Sequence, residues 1–270
     1  MAAQLRDELK RTLFEAGQAA ARALMKHFGR LSRIDYKGDV DLITAADREA
    51  EEKAIARIRR SFPDHTILAE ESALHKTGES EFRWIIDPLD GTTNFAHSLR
   101  VFAVSIGLER RGELLLGLAL APALDETYFA EKGRGARLNG KRIAVSRIDS
   151  LREALAATGF AYDRHKRADY YLKYVNAVMR RCQGIRRPGC AALDLCSVAA
   201  GRIDVYWEEN LNPWDMAAGT LIVREAGGTV SNFSGAGFSL EGRQIIATNA
   251  ILHRPFVSLI QEAMHKEPRS

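Results

Sequence analysis

The 270-residue sequence has few cysteines, few prolines and no long apolar run. Its three cysteines, Cys182, Cys190 and Cys196, are odd in number and lack metal-finger spacing, which favours reduced thiols over a disulfide framework or a structural zinc site. No stretch approaches the roughly 20 apolar residues needed to span a bilayer, and the N-terminus lacks the apolar run of a secretory signal. We therefore expect a cytoplasmic globular protein.

Repeats, Gly/Ser linkers and low-complexity segments are also missing, so no composition change marks a hinge between domains. With 46% hydrophobic and 27% charged residues, the chain can bury a full core. The formal net charge of +4 permits anionic ligands without requiring nucleic acid. Two short basic clusters, at 57–60 and 180–187, are typical of a helix end and of a solvated loop.

Apolar spacing in the first half predicts two helices packed on a sheet. Apolar residues recur every three or four positions from Leu5 to Phe28, ahead of Gly29, which predicts an amphipathic helix ended by a glycine. A second helix is predicted from after Thr44 to Arg60, because Thr44 and Asp47 have the spacing of a capping box. The β-rich runs at 66–69, 84–87, 101–108 and 114–121 predict a largely antiparallel sheet.

After about residue 150 the pattern changes to alternating strands and helices. Helices are predicted at 168–181, at 193–199 and from Pro213, which Asn212 caps, with strands at 203–207, 229–233 and 244–248. This alternation favours an α/β arrangement. We expect an α+β metal-binding half at 1–149 and an α/β substrate-binding half at 150–270, joined in one compact catalytic unit.

The segment from Trp84 to Phe95, WIIDPLDGTTNF, carries the most chemical information. An apolar strand runs into Asp87 and Asp90, with Pro88 and Gly91 shaping the turn that follows. Two carboxylates and the carbonyl of Leu89 between them suit a hard cation such as Mg²⁺. In isolation the same pattern fits a capped turn equally well.

Further carboxylates stand at the ends of predicted elements, and each has a simpler explanation of its own. Asp47 could cap a helix, Glu70 could be a solvated strand end, and Asp215 could complement a helix dipole. Asp41 and Glu71 complete the set. Spacing alone leaves open whether these side chains converge.

Three ordered motifs carry a resemblance to a known family: 70–72 (EES), 87–95 (DPLDGTTNF) and 214–219 (WDMAAG). They are similar to the signature segments of the inositol monophosphatase family, and the runs at 41–47, 133–143 and 224–228 extend the likeness over nearly the whole chain. The resemblance implies the layered αβαβα sandwich of the inositol monophosphatase and sugar phosphatase type. It also implies a magnesium-dependent, lithium-sensitive phosphomonoesterase acting on inositol 1-phosphate, usually as a homodimer.

Carried over by position, the resemblance implies two to three Mg²⁺ ions. Glu70, Asp87 and the Leu89 carbonyl would hold the first ion, and Asp87, Asp90 and Asp215 the second, with a weaker third near Glu70. Thr92 would orient the attacking water and Asp47 would accept from the Thr92 hydroxyl, so that Thr92, Asp47 and Glu70 form the catalytic set. Bound metal suits this reaction because it lowers the pKa of water from near 16 towards about 7.

The resemblance implies a substrate site formed by Asp90, Gly91, Thr92, Gly189, Cys190, Ala191 and Glu208. Glu208 would accept hydrogen bonds from the hydroxyls of a phosphorylated polyol. Cys190 stands where the family commonly has serine or threonine. Thr93 stands where the bisphosphate nucleotidase and histidinol phosphatase groups tend to have lysine, which favours the inositol branch.

Fructose 1,6-bisphosphatase and NADP phosphatase activity remain alternatives. A further alternative is a binding protein associated with RNA or the transcription machinery, although an intact ligand set favours catalysis.

Overall fold

The computed structural model describes residues 3–30, 35–36, 42–43, 45–75 and 80–264. The predicted cap Thr44, and Asp41, lie outside the described residues. The α-helices of the described residues are α1 (Ala3–His27), α2 (Ala45–Ser61), α3 (Thr92–Ala96), α4 (Arg164–Met179), α5 (Ala191–Ala199), α6 (Pro213–Glu225) and α7 (His253–Met264).

Strands of the first half form two sheets. β1 (Asp35–Tyr36) and β2 (Leu42–Ile43) pair with each other. The larger sheet contains β3 (Thr66–Ala69), β4 (Ala73–His75), β5 (Phe82–Asp90), β6 (Ala103–Arg110), β7 (Glu113–Ala121), β8 (Glu126–Glu131), β9 (Ala136–Leu138) and β10 (Lys141–Arg142). Its order is β10-β9-β8-β7-β6-β5-β3-β4, and every neighbouring pair is antiparallel except β3 and β5.

Strands of the second half form a five-stranded sheet. They are β11 (Leu155–Thr158), β12 (Gly184–Arg186), β13 (Val205–Glu209), β14 (Thr229–Ser231) and β15 (Gln244–Thr248). The order is β12-β11-β13-β15-β14, with β11 parallel to both of its neighbours and β15 antiparallel to β13 and β14.

Successive side chains of a strand point to opposite faces of its sheet, so each sheet packs against helices on both faces and the fold has five layers. On β5, Trp84 and Ile86 pack with the apolar faces of α1 and α2, whereas Ile85 faces the opposite side and packs with α5 and α6. On β15, Ile245 faces the same α5 and α6 layer, while Ile246 packs with α4 and α7. The order is therefore helix, sheet, helix, sheet, helix, which confirms the predicted αβαβα sandwich.

Helix α6 packs directly on the larger sheet at two glycines that face it. Gly107 on β6 is paired with Gly117 on β7. A Cβ on Gly107 would come within 2.7 Å of the Ala217 side chain, and one on Gly117 within 2.8 Å of the Ala218 carbonyl. The absent side chains let α6 approach the sheet closely, which brings the first turn of α6 to the end of β5.

The predicted helices and strands are observed as helices and strands, but several differ from the prediction in where they begin or end. β5 extends to Asp90 and α4 begins four residues earlier than predicted, while β15 has the predicted bounds. Eight strands were not predicted: β1, β2, β4, β8, β9, β10, β11 and β12. All three cysteines are free thiols. Among the described residues, no helix combines the length and the apolar character required to cross a membrane.

Candidate active site

The end of β5 presents Asp87 and Asp90 at a break in the sheet. Pairing between β5 and β6 is regular as far as Asp87 and shifts register before Asp90. Oδ1 of Asp87 accepts a 2.9 Å hydrogen bond from the Leu89 amide, which closes a tight turn. Gly91 follows with φ +89°, and a Cβ there would come within 2.9 Å of the Val101 carbonyl. Glycine is therefore required at the point where β5 passes into α3.

Glu70 stands in the turn after β3, next to β5. Its amide donates to the Ile86 carbonyl at 3.2 Å, which places the turn beside the end of β5. Glu51 of α2, only 3% exposed, fixes the other side by accepting from the Glu71 amide at 2.8 Å and from the Ser72 hydroxyl. Sequence reasoning missed Glu51, because a buried carboxylate in the middle of a helix resembles an ordinary surface glutamate.

Asp215 lies in the first turn of α6 and has two roles. Its Oδ2 accepts a 2.6 Å hydrogen bond from the Asn212 amide, as expected of a residue near a helix N-terminus. It also lines the same pocket as Glu70, Asp87 and Asp90. The dipole-complementing role considered from the sequence is therefore compatible with a place in the acidic group.

The carboxylates of this group influence one another. Burial, followed by the negative charges of Glu70, Asp90 and Asp215, raises the pKa of Asp87 well above its usual range. Burial and the charges of Asp90 and Glu70 likewise raise the pKa of Asp215. Glu70 and Asp87 are within hydrogen-bonding distance of each other. Four carboxylates that face one cavity give it a negative potential, which favours the binding of a cation.

Asp90 faces the N-terminus of α5. Burial raises the pKa of Asp90, while hydrogen bonds from the Ala192 amide, the Cys190 thiol and the Ala191 amide oppose that rise. Cys190 and Ala191 therefore line the pocket while also hydrogen-bonding Asp90. Gly189, at φ +86°, is held in the same loop by the side-chain amide of Asn94, which donates to the Val101 and Pro188 carbonyls at 2.7 and 2.8 Å.

Thr92 begins α3 beside the acidic group. Its hydroxyl lies 3.1 Å from the Leu89 carbonyl and 3.4 Å from Oδ1 of Asp47, and it can donate to either. Asp47 is 1% exposed and sits in the first turn of α2. The Thr92 oxygen therefore keeps its lone pairs free for a further donor, such as a water molecule.

Glu208 on β13 closes the far side of the pocket. Oε2 of Glu208 accepts a 2.6 Å hydrogen bond from the Tyr206 hydroxyl. Burial raises the pKa of Glu208 to about 7, against the opposing influences of Tyr206 and Arg187. Gly159 packs directly on Glu208, and any Cβ at position 159 would overlap the carboxylate. A partly protonated carboxyl group in this position can exchange hydrogen bonds with substrate hydroxyls.

A single cavity of about 440 Å³ gathers these residues. Of the predicted site residues, it is lined by Glu70, Asp87, Leu89, Asp90, Gly91, Thr92, Gly189, Cys190, Ala191, Glu208 and Asp215. Asp47 stands behind Thr92 and is not among the lining residues. Sequence reasoning missed four further lining residues, Phe160, Arg164, Arg187 and Asn210. Their only signal was the basic cluster that contains Arg187.

The donor set fits a hard divalent cation. Carboxylate and main-chain carbonyl oxygens are the ligands that Mg²⁺ prefers. Four carboxylates and the Leu89 residue line this one cavity. Within the described ranges, no three His, Cys, Asp or Glu side chains are arranged closely enough to hold a metal ion between them.

Five alternating layers, with an acidic cavity where the larger sheet meets α3, α5 and α6, define an α/β phosphatase fold. The chain belongs to the Inositol monophosphatase family, whose family model matches residues 5–265. The family is generally metal-dependent, in agreement with the donor set. This membership confirms the resemblance inferred from the three motifs.

Known proteins similar to this chain carry related descriptions. An inositol-1-monophosphatase of Synechocystis is 46% identical over 241 residues, covering 89% of this chain and 84% of the relative. A fructose-1,6-bisphosphatase/inositol-1-monophosphatase of Thermotoga maritima is 41% identical over 244 residues. The aligned region covers 90% of this chain and 92% of that protein. The crystal structure of extragenic suppressor protein SuhB from Bartonella henselae matches with a TM-score of 0.90 at 39% identity, covering 94% of this chain and 99% of that one.

Proposed function

We propose that this protein is a magnesium-dependent phosphomonoesterase that hydrolyses myo-inositol 1-phosphate or a similar polyol phosphate. The observation that carries the proposal is the gathering of Glu70, Asp87, Asp90 and Asp215 around one cavity that also contains Thr92 and Glu208. Bound at these carboxylates, Mg²⁺ would neutralise the phosphate dianion and activate water.

The chain's own residues divide the work. The proposed ligands of two to three ions are Glu70, Asp87, the Leu89 carbonyl, Asp90 and Asp215. The proposal includes a shift of these side chains towards the ions when the ions bind. Thr92 orients the attacking water by accepting a hydrogen bond from it, because its own proton is directed towards Asp47 or Leu89. A threonine hydroxyl is too weakly acidic to attack phosphorus itself without a strong base nearby.

Substrate positioning falls to both sides of the cavity. The amides of Gly91 and Thr92, at the start of α3, would donate to phosphate oxygens. Glu208, set by Tyr206 and Gly159, would bind hydroxyls of the polyol ring, and the loop of Gly189, Cys190 and Ala191 would contact its edge. An analogue lacking those hydroxyls would leave Glu208 unpaired and would bind less well.

Release of inorganic phosphate from myo-inositol 1-phosphate tests this function. We expect release with Mg²⁺, loss of release when a chelator removes the metal, and recovery when Mg²⁺ is restored. The Glu208→Gln variant should raise KM for inositol 1-phosphate more than KM for a simple alkyl phosphate. Metal-independent release would refute the proposal.

A bisphosphate substrate is the second candidate, because the cavity also has basic lining residues. Arg164 and Arg187 both line it, and neither takes part in an ion pair within 4 Å among the described residues. Arg187 is close enough to Glu208 to lower the pKa of that carboxyl. The similarity to the bifunctional Thermotoga maritima protein supports the same candidate.

Fructose 1,6-bisphosphate and inositol 1-phosphate distinguish the two candidates. A kcat/KM at least about tenfold higher for the bisphosphate, lost in Arg187→Gln, would favour the second. A rise in KM for both substrates would instead assign Arg187 as the counter-charge of Glu208. NADP phosphatase activity, a homodimer, lithium inhibition, a cytoplasmic location and the division of roles between 1–149 and 150–270 stay predictions.

A further inference from the structure

A second concave surface lies apart from the active-site cavity. This surface, the basic groove, runs between α1 and the strands β7 to β10 and has a volume of about 790 Å³. Six cationic side chains line it: Arg6, Lys10, Lys132, Arg134, Arg137 and Arg142. It shares no lining residue with the active-site cavity. The inference drawn from it is independent of the proposed function.

The charge of the protein is concentrated at this groove. Two carboxylates, Glu113 and Glu131, face the six cations, so the lining carries a net charge of +4. The whole chain has the same formal net charge of +4, which means that the remaining residues sum to zero. A net charge gathered on one concave face attracts polyanions, whereas an evenly spread charge does not.

Ion pairing leaves part of this charge uncompensated. Glu131 pairs with Arg6 and Arg134 at 3.3 and 3.2 Å, and Glu113 pairs with Lys132. No ion pair among the described residues involves Lys10, Arg137 or Arg142. Lys10 instead lies 4.8 Å from the centre of the Phe129 ring. Three cations on two walls of the groove therefore remain available to an anion.

The strand register opposes two of these cations directly. In the β9–β10 hairpin, Arg137 is the cross-strand partner of Arg142, and both are exposed. Like charges directly opposite each other destabilise a two-stranded pair. The surrounding segment 133–143, GRGARLNGKRI, holds four cations and no acid. Arg137 donates one 2.9 Å hydrogen bond to the Gly140 carbonyl in the hairpin turn, which leaves its positive charge without a carboxylate partner. Binding of an anion would offset the repulsion between the two guanidinium groups.

We propose that the basic groove binds the phosphate backbone of a nucleic acid. Four of its six cations are arginines, whose planar guanidinium groups can bind phosphate oxygens in pairs. The one aromatic ring in the lining, Phe129, is 7% exposed and covered by Lys10, so it offers no face for stacking a base. The groove therefore recognises phosphates and not base sequence.

Salt-dependent binding of a fluorescent oligouridine of about 20 nucleotides tests this proposal. For single strands, log K falls with log salt by about 0.7 per phosphate neutralised. We expect a slope of about −2 or steeper for the wild-type protein, since three unpaired cations would each neutralise one phosphate. The double variant Arg137→Gln/Arg142→Gln should flatten the slope by about 1.4 and weaken binding at least about tenfold at low salt.

The matched control is Arg180→Gln/Arg181→Gln, which removes the same charge from exposed positions outside the groove. It should keep the full slope, and both double variants should keep the wild-type rate of phosphate release. No binding by the wild-type protein, or equal losses in the two double variants, would overturn the proposal. Equal affinity for polyglutamate of the same charge would also overturn it, because the groove would then recognise charge without phosphate geometry.

Discussion

The amide of Ala192 donates a 2.6 Å hydrogen bond to Oδ2 of Asp90 across 102 positions of the chain. Asp90 ends β5 of the larger sheet, and Ala192 lies in the first turn of α5. The bond orients a proposed metal ligand with a helix N-terminus, where an anion is favoured by both the free amides and the helix dipole. The Asp90 carboxylate thereby connects the proposed metal site to the loop of Gly189, Cys190 and Ala191 that is proposed to contact the substrate.

The Asp90→Asn variant should lose at least about a hundredfold in kcat, the scale expected when a positioned electrostatic group is removed. An amide oxygen can still accept from Ala192, so the fold should hold while the negative charge is lost. Steady-state phosphate release and the Tm of the metal-free protein separate these effects. A near-normal kcat would remove Asp90 from the ligand set.

Replacement of Thr92 tests its role in orienting water. Thr92→Val preserves the shape of a buried side chain and removes the hydroxyl, so we expect kcat to fall about a hundredfold with little change in KM. Thr92→Ser retains the hydroxyl and should stay within about tenfold of wild type. Equal losses in the two variants would show that the methyl group matters and the hydroxyl does not.

Glu208 should make the stability of the metal-free protein pH-dependent. Its pKa is about 7 in the fold against 4.5 for an ordinary glutamate, so between these pH values the native state holds a proton that the unfolded chain has released. The free energy of unfolding therefore falls as pH rises from about 4.5 to about 7. Glu208→Gln removes this loss, and its stability relative to wild type should be about 1 to 3 kcal/mol greater at pH 8 than at pH 4.

Tyr206→Phe provides the internal check on that assignment. The Tyr206 hydroxyl donates to Glu208 and lowers the pKa of Glu208. Its removal should raise the pKa of Glu208 and move the upper end of the pH range over which stability falls above 7. Denaturant unfolding from about pH 4 to pH 9 measures both effects. A pH-independent difference between wild type and Glu208→Gln would contradict the burial of this carboxyl group.

Gly159→Ala should displace Glu208 without touching the proposed metal ligands. The new Cβ would overlap the Glu208 carboxylate, so we expect KM for inositol 1-phosphate to rise at least about tenfold, the scale of a lost hydrogen bond to a charged group. Gly237→Ala is the control, since no atom lies within 4 Å of a Cβ there. An unchanged KM in Gly159→Ala would show that Glu208 does not contact the substrate.

Sequence patterns predicted most of the helices and the longer strands because burial repeats along each element, whereas the order of the layers came from the family resemblance. The alternation of Trp84, Ile85 and Ile86 and the helical spacing of residues 5–28 are local signals. β9 and β10 gave no such signal, because three-residue and two-residue strands rich in arginine and lysine depend on pairing with a neighbour. The basic groove was missed for the same reason, since its cations come from α1 and from strands more than 100 residues later.

The candidate site could be predicted from motifs but not assembled from spacing. Glu70, Asp87, Asp90 and Asp215 line one cavity only because β3 and β5 are adjacent and α6 packs on Gly107 and Gly117. Contacts such as Asn94 to Pro188 join residues 94 positions apart and leave no local trace. The positioning residues Glu51, Asn94 and Tyr206 therefore emerge only from the fold.

Diffraction from crystals grown with Mn²⁺ and inorganic phosphate tests the central claim most directly, because anomalous scattering locates the ion independently of activity. We predict Mn²⁺ peaks within coordination distance of Asp87, Asp90, Asp215 and Glu70, with phosphate beside Thr92. Crystals of an active protein in which saturating Mn²⁺ leaves these four carboxylates without an anomalous peak would contradict the account.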